Sequence, residues 1–378
     1  MNRLFILFLA LIVYKPSLFA EEQGLKFSKI TEVLSKISSP DEPGLQYVVV
    51  NKDSVLFEHQ MGLADIKNNV PQTDGHTMAA FSMTKTLTAI GLLQLVEQQK
   101  IKLDDRASEY IEHPYKSDIT IRHLINHTSG VPDPIPLKWI HSAENHDKFD
   151  EKQALAQVLS DNPEGSFLPG EKYSYSNIGY WLLGSIIEKV SGLSYSEYIN
   201  KHIFSPLNLT AAEIGFVISN KNNHAKGYLQ KYSFMNLLKY FLIEETTWGE
   251  YEGNWLHINN VYLNGPAFGG AIGSAKAFSR ILQNLLSDNS VLLGNNVKQQ
   301  LYSQQKTNAG KPIEMTLGWH IGELDDTRYY YKEGGGAGFH CEMRIYPDKN
   351  FASVLMVNRT SFNTRKQLSK LDQRMISP

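Results

Sequence analysis

One cysteine, Cys341, stands among 378 residues, so no intramolecular disulfide can form and stability must come from a packed core. Lying in the apparent strand 341–346, it reads as a small core residue rather than a nucleophile. A basic excess is missing as well: 37 Lys and Arg against 39 Asp and Glu leave a formal charge of −2, which argues against nucleic acid as a partner. There is no Gly-x-Ser-x-Gly elbow, which weighs against an α/β-hydrolase, and no His-Glu-x-x-His pair to hold zinc. His141, Glu144, His146 and Asp147 lack metal-site spacing and read as a solvated loop. No internal repeat or low-complexity tract occurs.

A hydrophobic fraction of 42% is ample for one large domain or two intimately joined ones. Arg3, the ten-residue apolar run Leu4–Val13 and the stretch ending at Ala20 have the layout of a secretory signal over 1–20, too short to span a bilayer. The expectation is a periplasmic or secreted protein cut after Ala20. The large Leu18 at the cleavage region leaves an uncleaved membrane anchor as the alternative. No cysteine follows the apolar run, against a lipoprotein.

The mature chain, 21–378, opens with a helix over Leu25–Ile37 and two strands, Leu45–Val50 and Ser54–Gln60, around Asn51-Lys52-Asp53. Residues 61–80 are a loop rich in Gly, Asp, Asn and Pro. From Leu103 to about Leu209 the pattern is mostly helical, with a clear stripe over Ile178–Val190. Strand character returns at Thr316–Glu323, Arg328–Lys332, His340–Tyr346 and Phe351–Val357, as in an antiparallel meander. The expected fold is therefore α+β: an antiparallel sheet with flanking helices built from about 21–105 and 255–378, and an all-helical lobe over about 106–254. The stretch Ser233–Ile243 is apolar and helical. A core helix is the leading reading; a pocket wall and a peripheral membrane contact are the alternatives.

The organising stretch is Ala80-Phe81-Ser82-Met83-Thr84-Lys85, followed by an all-round apolar segment to Val96 that must be buried if helical. With a helix starting near Ser82, Ser82 and Lys85 lie one turn apart on one face, at the positive end of the dipole. Burial disfavours a charged ammonium, so a desolvated lysine can serve as the base that a serine hydroxyl needs. Ser303-Gln304-Gln305-Lys306 has the same spacing in a polar run with nothing to desolvate its lysine, so it serves as a control.

Acyl transfer needs a second proton handler and a polar group to hold substrate. Tyr175-Ser176-Asn177 supplies both types at a helix entrance. Tyr-x-Asn also occurs at Tyr198 and Tyr262, but Tyr175 follows the loop Pro169-Gly170-Glu171, and its Asn177 is placed as a helix cap. The glycine-dense run Lys332–Phe339 is either a strand edge whose N–H groups approach a ligand or a plain turn.

Together these residues resemble the serine β-lactamase and penicillin-binding protein superfamily, in its class C β-lactamase-like branch. Ser82-Met83-Thr84-Lys85, Tyr175-Ser176-Asn177 and Lys332-Glu333-Gly334 match its three motifs in order. The stretches 119–130, 169–180 and Gly269-Gly270-Ala271-Ile272-Gly273-Ser274 support the match. The resemblance implies a β-lactamase/transpeptidase-like fold, with Ser82 attacking a carbonyl and Lys85 and Tyr175 sharing the proton transfers. It further implies that Asn177, Lys332, Glu333 and Gly334 contact substrate and that the Ser82 and Gly335 N–H groups form the oxyanion hole. Neither metal nor cofactor is implied, and His127 is expected to be structural.

The expected activity is hydrolysis of an ester, amide or lactam, carried by a small molecule or peptide, through an acyl-enzyme. A β-lactamase or D-alanyl-D-alanine carboxypeptidase is one alternative, and a binding protein of the same fold another. Glu333 departs from the family, which often has a hydroxyl residue there. A carboxylate at about 4 Å from a bound carboxylate would oppose it by roughly 1–4 kcal/mol, favouring neutral substrates.

Overall fold

Strand β1 (Leu45–Val50) is buried along its whole length, as its sequence Leu-Gln-Tyr-Val-Val-Val requires. With β2 (Val55–Met61), β3 (His320–Leu324), β4 (Thr327–Gly336), β5 (Phe339–Tyr346) and β6 (Phe351–Val357) it forms one antiparallel sheet in the order β3-β4-β5-β6-β1-β2. The computed structural model describes residues 18–134, 138–242 and 245–377; the apolar run Leu4–Val13 falls outside them. Among the described residues the longer helices are α1 (Leu18–Ile37), α2 (Thr84–Glu97), α3 (Glu151–Asp161), α4 (Asn177–Ser191), α5 (Phe234–Leu242), α6 (Ala275–Leu286) and α7 (Thr364–Ile376).

Side chains alternate across a strand, and here they serve two cores. Val48, Val50, Val354 and Met356 enter the larger core shared with α2, α4 and α6. Tyr47, Val49, Leu355 and Val357 enter a smaller one under α1 and α7. A buried ionic cluster fastens α7 to the sheet: Arg344 Nε donates to Glu342 Oε1 at 2.6 Å and Arg344 Nη1 lies 3.6 Å from Asp372 Oδ2, all three side chains fully buried. The polar Gln46 of β1 is accounted for as well. Its Nε2 donates to the carbonyls of Thr73 and His76, and its Oε1 accepts from Ala275 N at the start of α6. The loop that leads to Ser82 is thereby tied to the sheet.

The meander is present, but its first strand begins at His320 rather than Thr316. Gly318 turns the chain there with φ +91°, and a Cβ on it would stand 2.5 Å from that of Ala89 in α2. The first helix begins at Leu18, upstream of the expected start.

The segment 106–254 is helical at its centre and also carries short strands. Ile140–Ser142 pairs with Val261–Leu263, and Gly227–Gln230 and Trp248–Glu252 flank Trp255–Ile258, so a small sheet crosses the boundary expected near 254. The core reading of 233–243 is overturned for the described side chains of α5. Phe234 and Leu237 are 71% and 61% exposed, whereas Asn236 and Lys239 are buried. Asn236 Nδ2 donates to the carbonyls of Gln230 and Lys231, and Lys239 Nζ to the Tyr251 hydroxyl, so the polar face of the helix is the one that docks. Ile243 lies outside the described residues.

Candidate active site

The nucleophile candidate sits on a strained turn. Phe81–Met83 is a single 3-10 turn feeding α2, and Phe81 holds φ +44°, a conformation that costs a non-glycine residue roughly 1–3 kcal/mol. The glycine-rich stretch at 269–274 braces it. Ala80 N donates to Ala271 O, and Ala271 N donates to Thr84 Oγ1. Strand Ile272–Gly273 pairs with Met78–Ala79 just before the turn. Ser82 is thus presented at the positive end of α2, whose residues Thr84–Leu95 are all buried.

Lys85, fully buried, aims Nζ at three oxygens: Ser82 Oγ at 3.2 Å, Asn177 Oδ1 at 2.7 Å and Phe268 O at 2.7 Å. Burial, reinforced by the Lys332 charge, pulls its pKa well below the usual lysine value, while Asp133 pulls weakly the other way. A neutral amine has two N–H bonds and one lone pair. The two carbonyl oxygens take the N–H bonds, which leaves the lone pair for the Ser82 proton. The Phe268 carbonyl has no sequence signature of its own; only the Gly265–Gly270 turn hints at a backbone brought close.

Tyr175 donates to Ser82 Oγ from the far side at 2.8 Å. Burial raises its pKa, so the phenol stays protonated and acts as a donor. The cap of α4 is Ser176, not Asn177: Ser176 is extended, and its hydroxyl accepts from Gly179 N at 3.0 Å. Asn177 is left free to turn inward. Its backbone N and its Nδ2 both donate to Asp133 Oδ1, at 2.8 and 3.1 Å, which orients the amide so that its oxygen meets Lys85. Asp133 was not singled out by the sequence, where its only mark is a place between two prolines just after His-Thr-Ser-Gly. Loss of hydrogen bonds to a carboxylate is worth ~1.5–3 kcal/mol, so Asp133→Ala is expected to slow acylation about ten- to hundredfold. Asp133→Asn, which keeps the accepting oxygen, should restore most of it; stopped-flow acylation rates that are equal in the two variants would rule out a positioning role.

The third motif is strand, not turn, as far as Gly336. Pairing of β3 with β4 ends at His320↔Tyr331, so the β4 edge from Lys332 to Gly336 is open, with alternate N–H groups available to a ligand. Gly334 permits the approach: a Cβ there would lie 2.1 Å from Ala80 O and 3.0 Å from Ser82 N. Lys332, on the same strand face, is buried with Nζ 5.2 Å from the Tyr175 ring centre and 3.5 Å from His320 Nε2. Burial lowers it to about 7. His320, driven down to about 2 by burial and then by Lys332, is a neutral neighbour that the sequence did not reveal.

Glu333 departs from expectation. Alternation puts it on the other face of β4, where His340 Nε2 lies 2.8 Å from Oε1 and Arg365 Nη2 3.2 Å from Oε2. The hydrogen bond from His340, then the charges of His340 and Arg365, hold its carboxyl below the usual range. An acid already paired in this way does not oppose a substrate carboxylate, so Glu333 gives neutral substrates no advantage over anionic ones.

The remaining candidates stay apart from the chemistry. His127 is fully buried against Tyr175, its Nδ1 accepts from Ser176 N at 3.1 Å, and burial keeps it neutral. Ser303 and Lys306 are exposed, and the Ser303 hydroxyl donates to Gln299 O. His141 and His146 do not form a loose loop: their rings stack with Nε2 and Nδ1 2.9 Å apart, and among the described residues no group of three or more His, Cys, Asp or Glu could hold a metal. Cys341 is buried under Gly334, its thiol pushed up by burial and 3.2 Å from Ala80 O, as a core residue would be.

Beside Ser82 opens a cavity of ≈ 110 Å³, lined by Ser82, Asn177 and Gly335 and by Phe81, Ile140 and Leu263 among others. The nucleophile and both residues assigned to the oxyanion hole therefore line one space, and Lys85 and Tyr175 meet the nucleophile there through their hydrogen bonds to Ser82 Oγ.

Known proteins share this architecture. Penicillin-binding protein 4* of Bacillus subtilis is 28% identical over 312 residues, 81% of this chain and 66% of that protein. Protein flp of Staphylococcus aureus is 28% identical over 192 residues, 49% of this chain and 38% of its own length, so this chain spans less than two thirds of either relative. The octameric penicillin-binding protein homologue of Pyrococcus abyssi superposes with a TM-score of 0.74 at 20% identity, over 93% of this chain and 77% of that one. D-amino acid amidase of Ochrobactrum anthropi SV3 superposes with a TM-score of 0.71 at 19% identity, over 92% and 98%. The Beta-lactamase family model matches residues 29–373, and the chain accordingly belongs to that family, within the serine β-lactamase and penicillin-binding protein superfamily.

Proposed function

We propose that this protein is an exported serine hydrolase that cleaves an ester or amide through an acyl-enzyme on Ser82. The observation that carries the reading is the convergence on one hydroxyl of a desolvated lysine at 3.2 Å and a protonated phenol at 2.8 Å. Ser82 Oγ bonds to the carbonyl carbon as its proton passes to Lys85, and the developing oxyanion is received by the N–H groups of Ser82 and Gly335. The bond to the leaving group breaks as Tyr175 donates its proton there, and Lys85 returns a proton to Tyr175. Water then attacks the acyl carbon, the bond from that carbon to Ser82 Oγ breaks, and the proton given up by the water passes to Oγ, releasing the acid and restoring the serine. Asn177, held by Asp133, and Lys332 line the substrate's path.

β-Lactam or D-alanyl peptide hydrolysis is the second reading. The pairing of Glu333 with Arg365 and His340 favours its retention, since no unpaired acid repels their carboxylate. The outward apolar face of α5 supports a peripheral membrane contact. The purified protein is to be assayed on a chromogenic cephalosporin, a D-Ala-D-Ala peptide and neutral acyl esters. Turnover of esters with an acyl adduct on intact mass is expected. Turnover of the cephalosporin above every ester would replace the first reading by the second, and no adduct with any substrate would leave only a binding protein.

A further inference from the structure

We infer that the cavity beside Ser82 is the seat of a short, neutral, apolar acyl group, closed at its far end by the strand pair Ile140–Ser142 and Val261–Leu263. This deepens, and rests on, the reading of Ser82 as the nucleophile. The cavity's ≈ 110 Å³ is somewhat smaller than the ~150 Å³ apolar cavity that accommodates a six-carbon benzene ring, which matches an acyl chain of about four carbons. Ile140, Ile258, Val261, Leu263, Phe268 and Ala337 form its wall. Among the described residues no charged side chain lines it. Of its polar members, Asn177 turns its Oδ1 to Lys85 and one Nδ2 proton to Asp133, so what it can offer the cavity is a neutral N–H donor. A carboxylate entering this space would find no cation among the described residues that line it, and burying an unpaired charge is strongly unfavourable.

Ile140 and Val261 stand in the strand pair in which Leu263 lies opposite Ile140 and Val261 opposite Ser142, and this pair packs onto the site from outside the main sheet. Chain length is therefore read by residues that take no part in bond making. Each buried methylene is worth ~0.8 kcal/mol, about a fourfold gain in kcat/KM.

The test is a series of 4-nitrophenyl esters from acetyl to decanoyl. The kcat/KM should climb about fourfold per carbon to butyryl or pentanoyl, then level or fall. The 4-nitrophenyl monoester of a dicarboxylic acid of the optimal length should be slower by at least about a hundredfold. Ile140→Ala should move the optimum one or two carbons longer, and Val261→Phe should move it towards acetyl, with thermal melts verifying that both variants fold. Labelling of Ser82 by a small serine-directed phosphonate keeps the two ideas separable. Labelling with a flat chain-length profile, or with a profile that neither variant moves, overturns the acyl-pocket assignment alone. Absence of labelling in the folded parent overturns the nucleophile on which it rests.

Discussion

Ser82→Ala is expected to abolish covalent capture completely: a serine-directed phosphonate that adds its mass to the parent should add nothing to this variant, while Ser303→Ala labels like the parent. The two serines share a spacing to lysine and differ in surroundings. Lys85 is stripped of water and offers a lone pair, whereas Lys306 is exposed, with nothing to desolvate it. Tyr175 and the α2 terminus add a proton donor and a favourable field at Ser82 alone. Intact-mass spectra of the three proteins decide the matter, and persistent labelling of Ser82→Ala would place the nucleophile elsewhere.

Lys85→Ala should reduce the acylation rate by about 10²- to 10⁴-fold, the usual contribution of a positioned general base. The pH profile carries further information. Acylation needs the neutral amine, so its rate should fall as pH drops through the Lys85 pKa, and burial has moved that pKa well below the usual lysine value. Lys332 contributes like-charge repulsion to this shift. In Lys332→Met the protonated Lys85 is less disfavoured, its pKa rises, and the acid limb should move to higher pH. The difference is expected below about 7, where Lys332 of the parent carries its proton. A tenfold or smaller loss in Lys85→Ala would assign the base to another group, and an unmoved limb in Lys332→Met would uncouple the two lysines.

What could be read in advance followed from the range of each signal. The burial of α2 was legible because apolar residues on every face have no other solution, and β5 and β6 because their runs are bounded by turns. Ser82 with Lys85 was legible because the two are neighbours on one helix. Tyr175 was a candidate from its place at a helix entrance, but its role and that of Lys332 came through the family resemblance, since spacing alone could not bring residues 93 and 250 positions away to the same site as Ser82.

Other features depended on contacts the sequence does not encode locally. Glu333 was misread because its direction is set by strand register and its partners are His340 and Arg365, from the next strand and the last helix. Asn177 was misread because its neighbour Ser176 is an equally good cap, and only the presence of Asp133 turns the asparagine inward. The helix α5 was misread because apolarity usually means burial, whereas here the buried face makes hydrogen bonds through Asn236 and Lys239.

The sheet's register also governs when the molecule can come into being. Leu45 of β1 lies opposite Val357 of β6, so a central seam of the fold joins two strands that are far apart in the sequence. Closing such a loop carries an entropic cost before any contact repays it, and topologies dominated by distant pairings fold slowly. During synthesis β1 must therefore wait, paired at most with β2, until the chain beyond residue 351 emerges. The active-site turn waits with it, because Gly334 and Cys341 reach Ala80 and Ser82 only once β4 and β5 are in place. Catalytic competence therefore arises only with the closing strands.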